Sequence, residues 1–164
     1  MELEFTQRDR EFLLKSVIEP IKNRYDYIVI DTPPSLSILT INAFTASDCI
    51  VIPMLADIFS LQGIAELNET IMRVKNRYNP GLKIEGILLT KYNNRSNLTK
   101  DILATAERVA SQFRTKIFKQ KIRTGCVIAE AQARQIPFCQ YAPKSNVMKD
   151  YIAFVEELIE GGVG

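Results

Sequence analysis

The chain has 164 residues, with 21 Lys+Arg against 19 Asp+Glu and a formal net charge of +2. Its hydrophobic fraction of 46% and charged fraction of 24% are typical of soluble globular domains, which excludes a disordered tail, a collagen-like repeat and a coiled-coil rod. There is no His, hence no His-based triad, HExxH zinc site or imidazole relay, and the three cysteines form no CxxC pair, so a cytosolic, reduced protein is expected rather than a disulfide scaffold or thiolate metal site.

Phe12, Leu14, Val17, Ile18 and Ile21 recur at helical spacing and predict a helix over residues 7–24, kinked or restarted at Pro20. Residues 25–30 (YDYIVI) predict a short strand ending at Asp31, after which Thr32-Pro33-Pro34 forces a sharp loop. A short helix follows over 35–46, then a second buried strand at 48–53 (DCIVIP). Leu61, Ile64, Leu67, Ile71 and Val74 form the apolar stripe of a long helix, stopped by Asn79-Pro80-Gly81. Residues 83–90 (KIEGILLT) predict a third strand, and residues 98–113 another helix. A short strand is expected at 116–118, a strand or extended segment at 136–141, and a closing helix over 145–160. The longest apolar runs fall far short of the ~20 residues of a membrane span.

Alternating apolar strands and amphipathic helices imply an α/β fold with a mostly parallel sheet flanked by helices. Ligands of such sheets bind beyond the carboxyl ends of the strands. That places Asp31, residues 53–57 and residues 90–95 on one rim. Charge is uneven as well. Residues 31–72 carry 5 acidic and 0 basic side chains, whereas residues 73–123 carry 13 basic and 3 acidic ones. Such a block suits phosphate-rich partners, nucleic acid first; solvation of two exposed helix faces is the other account.

An apolar strand ending in one Asp before a tight loop suits a carboxylate that anchors hydrated Mg2+ beside a nucleotide phosphate, or one that caps the next helix. The longer string is more specific. Residues 25–53, YDYIVIDTPPSLSILTINAFTASDCIVIP, resemble the Walker B region of the ParA/Soj/MinD family of deviant Walker ATPases. The resemblance continues through GILLTKYNNRSNL (86–98), Ala129-Glu130-Ala131 and the last helix, and the ParA/Soj branch fits best. It implies a P-loop NTPase-like fold of the SIMIBI class. It also implies nucleotide-switched dimers that segregate plasmids and chromosomes with ATP and Mg2+ as cofactors. Non-specific DNA and a ParB-like partner that stimulates hydrolysis would be the partners, in a cytoplasmic, nucleoid-associated setting.

Carried over residue by residue, Asp31 matches the Walker B Asp that reaches Mg2+ through water, and Thr32, Pro33, Pro34 and Ser35 match the γ-phosphate-sensing switch loop. Asp57 falls where the family usually has Glu, and Gly63 where a Gly opens the next helix. Thr90 and Lys91 match residues lining the adenine pocket. Arg95 matches an arginine with which relatives hold DNA, and Lys100 and Arg123 join it as candidate DNA contacts within the basic block. Relatives read roughly Ile-Pro-Arg-Asn-Val-Arg-Leu where this chain has Ile122-Arg123-Thr124-Gly125-Cys126-Val127-Ile128, so the second DNA-contacting arginine falls on Val127. A membrane-switched, MinD-like reading needs a basic amphipathic tail, but residues 150–164 hold Glu156, Glu157 and Glu160 and no Lys or Arg.

A phosphate-cradling loop needs glycines followed by Lys and Ser/Thr, and none of the 7 glycines is followed by Lys. The chain therefore looks like the C-terminal two-thirds of a partition ATPase, a single incomplete nucleotide-binding domain over residues 1–164 that is missing the N-terminal P-loop strand. No catalytic residue is expected in this chain alone, nor ATP hydrolysis by it. In relatives the P-loop strand lies between those matching 26–31 and 48–53. Its absence is expected to leave unpaired edges and drive self-association. The other reading is a non-enzymatic module that binds DNA or a full-length subunit.

Overall fold

The computed structural model describes the backbone of residues 9–55, 59–92 and 97–161. The chain forms two compact units, Met1–Ile50 with Ile64–Lys83, and Val51–Gly63 with Ile84–Gly164.

In the first unit a 3-10 turn (Arg10–Phe12) leads into α1 (Leu13–Ile18), and a second 3-10 stretch (Glu19–Arg24) carries Pro20 in its first turn. The helix expected over 7–24, kinked or restarted at Pro20, does break there: it ends at Ile18 and restarts as a 3-10 stretch, because Pro20 has no N–H to give to an α-helical ladder. α2 (Ile38–Ala46) is tied to this segment by buried Asn42. Its amide donates to the Arg10 carbonyl at 2.7 Å and the Ile38 carbonyl at 3.0 Å, and its oxygen accepts from Leu14 N–H at 3.1 Å. Asn79 donates to the carbonyls of Phe44 (3.0 Å) and Ser47 (2.7 Å), satisfying orphan acceptors at the end of α2. Ile71 and Val74, on the part of α3 (Phe59–Arg77) belonging to this unit, are buried with Leu82.

The strand expected at 25–30 is not one. Residues 27–31 form no regular element and pair with no strand among the described residues, and Val29 is 92% and Tyr27 52% exposed. An apolar, β-branched run becomes a strand only when a neighbour takes its backbone donors and acceptors. The sequence supplies the side chains for two-sided burial; no described residue supplies the ladder.

In the second unit, β1 (Cys49–Leu55, from Val51 onward) and β2 (Lys83–Thr90, from Ile84 onward) form a two-stranded parallel sheet. Parallel single bridges Ile87↔Ile117 and Tyr92↔Arg123 continue it. The strand expected at 116–118 is therefore an isolated bridge. α4 (Asn97–Gln112), α5 (Cys126–Ala133), α6 (Phe138–Tyr141) and α7 (Asn146–Glu160) follow. Residues 136–141, expected to be extended, instead turn into α6: Pro137 starts it, and its carbonyl accepts from Gln140 and Tyr141 N–H at 2.9 Å each. Leu88, Phe118, Ile122, Val147 and Phe154 make the core, with the Phe118 and Phe154 rings edge-to-face at 5.0 Å. A Cβ on Gly86 would lie 2.6 Å from Phe118 Cε2, so only glycine lets that ring lie on β2. Ser145 caps α7 by accepting from Met148 N–H at 3.1 Å. No helix among the described residues is long and apolar enough to cross a membrane.

Candidate nucleotide and nucleic-acid site

Asp31 follows the irregular YDYIVI run of the first unit and is exposed, and no hydrogen bond or ion pair among the described residues engages it. Thr32 is half-buried; Pro33, Pro34 and Ser35 are exposed. The two prolines prevent continuation of extended pairing, and the chain enters α2 at Ser37, held in extended backbone. The Thr40 hydroxyl donates back to the Ser35 carbonyl and closes the loop on the first turn of α2. The Ser37 hydroxyl is buried without a hydrogen-bond partner. No group of three His, Cys, Asp or Glu that could cage a metal occurs among the described residues. A lone outward carboxylate fits Mg2+, which keeps several waters and takes one or two carboxylates.

Thr90, Lys91 and Arg123 belong to the second unit. Thr90 ends β2 and its hydroxyl donates to the Met54 carbonyl at 3.3 Å. Lys91 is exposed and left-handed, with φ 50°. A non-glycine residue there costs on the order of 1 kcal/mol and turns the chain sharply out of the strand. Tyr92 N–H then donates to the Ile122 carbonyl at 3.0 Å, and the Lys121 ammonium lies 5.2 Å from the centre of the Tyr92 ring. Lys91 is thereby brought beside the segment carrying Lys121 and Arg123.

Arg123 is already engaged. Its Nε and a terminal nitrogen donate to the two Asp150 oxygens at 2.7 and 2.8 Å, and its backbone N–H donates to Asp150 at 3.1 Å. Asp150 is buried, while the Arg123 side chain is half exposed. These hydrogen bonds from Arg123 hold the Asp150 carboxyl below the usual carboxylate range, against the opposing effect of burial. The same contact, chiefly its hydrogen bond, raises the Arg123 pKa. A depressed folded-state pKa means that the stabilisation is present above the ordinary carboxylate pKa of about 3.9 and is lost as acid carries the pH down through the folded-state value. Asp150→Asn should therefore flatten the acid limb of a stability-versus-pH curve measured by urea unfolding. At neutral pH it should cost about 1–2 kcal/mol, allowing for solvent screening at the half-exposed partner.

Val127, at the position of the relatives' second arginine, packs against the core of the second unit. Among the described residues no atom lies within 4 Å of where a Cβ on Gly63 would stand, so packing against them does not demand glycine there. Asp57 and Arg95 lie outside the described residues; Lys100 lies on α4, with its side chain outside them. Sequence reasoning missed Asp150 and Glu157. The latter's carboxylate accepts from the backbone N–H groups of Lys119 and Gln120 at 2.8 Å each. The signal for Asp150 was an acidic residue on the apolar face of the last helix, between Val147 and Phe154, where burial demands a cation or several donors.

A family model described as an AAA domain matches residues 1–84. The chain is 39% identical over 153 residues to the sporulation initiation inhibitor protein Soj of Bacillus subtilis (strain 168), an alignment that covers 93% of this chain and 59% of that protein. The chain belongs to the ParA/Soj family. A second ParA/Soj relative, the chromosome partitioning protein ParA of Myxococcus xanthus (strain DK1622), is 36% identical over 160 residues, or 97% of this chain and 56% of that protein. Among solved structures, cobyrinic acid a,c-diamide synthase from Mycobacterium smegmatis with bound ATP analog and magnesium superposes with a TM-score of 0.77 at 27% identity, covering 94% of this chain and 55% of that one. This ParA/Soj chain thus spans less than three-fifths of the length of those relatives.

Proposed function

We propose that these 164 residues carry the Walker B and switch-loop half of a chromosome or plasmid partitioning ATPase. The observation that carries this reading is 36–39% identity to Soj and ParA over 93–97% of the chain, together with the string Asp31-Thr32-Pro33-Pro34-Ser35. By the family pattern, Asp31 would hold a water of Mg2+ and residues 32–35 would follow the terminal phosphate, while Thr90 and Lys91 are the residues whose relatives line the base. ATP with Mg2+, when bound, supplies the phosphoryl group and the charge-neutralising ion. Residues 1–164 act as one nucleotide-binding domain once a glycine-lysine phosphate loop stands beside Asp31. The intact protein dimerises with ATP, binds DNA without sequence preference, answers to a ParB-like partner and works on the nucleoid in the cytoplasm. The polypeptide alone does not turn over ATP, since none of its glycines precedes a lysine.

The basic block favours a second reading for the polypeptide alone, a DNA- or subunit-binding module without ATPase activity. Arg95 and Lys100 are the proposed phosphate contacts; Arg123, with its fork on Asp150, positions the segment beside Tyr92 instead. Titration with random-sequence duplex at several salt concentrations tests this. Arg95→Ala should weaken binding uniformly across sequences and lower the salt slope by about one. An unchanged affinity removes Arg95 from the site, and binding of Mg-ATP with no binding of DNA rejects the module.

A further inference from the structure

α7 has two apolar faces. Val147, Asp150 and Phe154 are buried in the second unit. Ile152, Val155 and Ile159 are each nearly half exposed, at 46%, 46% and 49%. They recur at i, i+3 and i+7, and Met148, four residues before Ile152, extends the series. Steps of four, three and four residues make the seam of paired helices. Lys149 and Glu156, both exposed, flank that seam at equivalent positions one heptad apart and carry opposite charges.

We propose that this face of α7 is an interface with a second copy of the chain, the two helices lying antiparallel about a two-fold axis. In that arrangement Met148 of one copy faces Ile159 of the other, and Ile152 faces Val155. Four layers close over a seam of roughly 16 Å. Lys149 of each copy meets Glu156 of the other, and symmetry makes the pair twice. A parallel pairing would put Lys149 and Glu156 of one copy across the seam from the partner's positions 151 and 158, Tyr and Leu, and lose both ion pairs, so charge favours the antiparallel form. The seam is short beside the ~1,600 Å² of a standard stable interface, so the dimer is weak and dissociates on dilution. The contact uses none of residues 27–35.

Sedimentation equilibrium of the 164-residue polypeptide, from roughly 10 µM to 1 mM, tests it. Lys149→Glu and Glu156→Lys should each weaken association about tenfold, and the double variant should recover most of the loss. Val155→Asp should leave a monomer. All of these positions are exposed, so thermal melting by circular dichroism should be unchanged and a folding defect would be visible. A monomer throughout the range overturns the proposal. So does a dimer indifferent to all four variants, as association through open strand edges would be. An α7 face that takes up an added amphipathic helix without self-association also overturns it.

Discussion

Phe118→Ala should destabilise the second unit by about 3–5 kcal/mol, read as a large fall in the urea midpoint. Phe118 is fully buried, stands edge-to-face on Phe154 and fills the space left by the missing side chain of Gly86. Its backbone N–H also donates to the Ile87 carbonyl of β2 at 3.0 Å, so the ring is held in place and the cavity cannot easily collapse. Gly86→Ala attacks the same contact from the other side. It should cost about 1–3 kcal/mol, because the ring or the strand must shift. The double variant should fall short of the sum of the two, since Ala at 118 makes room for the new Cβ. Full additivity would show that the two residues do not share one contact.

Asp31→Ala should reduce Mg-dependent ATP hydrolysis about 10- to 100-fold in a protein that joins residues 1–164 to the N-terminal segment of Bacillus subtilis Soj. The polypeptide of residues 1–164 should show none. The reason is electrostatic. An outward carboxylate that orders the waters of a divalent ion stabilises charge developing on the transferred phosphoryl group, but it cannot replace the backbone donors and the lysine that hold that group. Asp26→Ala is the control, an exposed acidic residue five positions earlier. Equal losses from both variants would point to general destabilisation.

Much of the fold could be read from periodicity. β2 forms over the residues expected, 83–90, because a short continuous apolar run following the Asn79-Pro80-Gly81 stop reads as a buried strand, and α7 within one residue of its expected start, because its apolar residues keep a 3.6-residue period. α5 gave no such signal: Cys126, Val127, Ile128, Ala129 and Ala131 make it apolar on most sides, so no stripe stands out. The YDYIVI run shows the opposite failure. Its composition is that of an interior strand, but pairing is a property of the neighbour, and composition does not report the neighbour. At the candidate site the Asp31 loop was legible first from an apolar run ending in one Asp before a proline loop, and more specifically through the resemblance carried by DTPPS. Arg123 was legible as a cation, but its partner was not, because Asp150 lies 27 residues away and meets it only after α7 folds back.

In the proposed function Asp31 belongs to a metal–triphosphate pocket completed by a phosphate loop beside it. Calorimetric titration of ATP into the joined protein, with and without Mg2+, addresses it most directly. The ion should tighten ATP binding in the parent, and Asp31→Ala should abolish most of that gain while leaving metal-free binding alone. A gain from Mg2+ that survives Asp31→Ala intact would contradict the account.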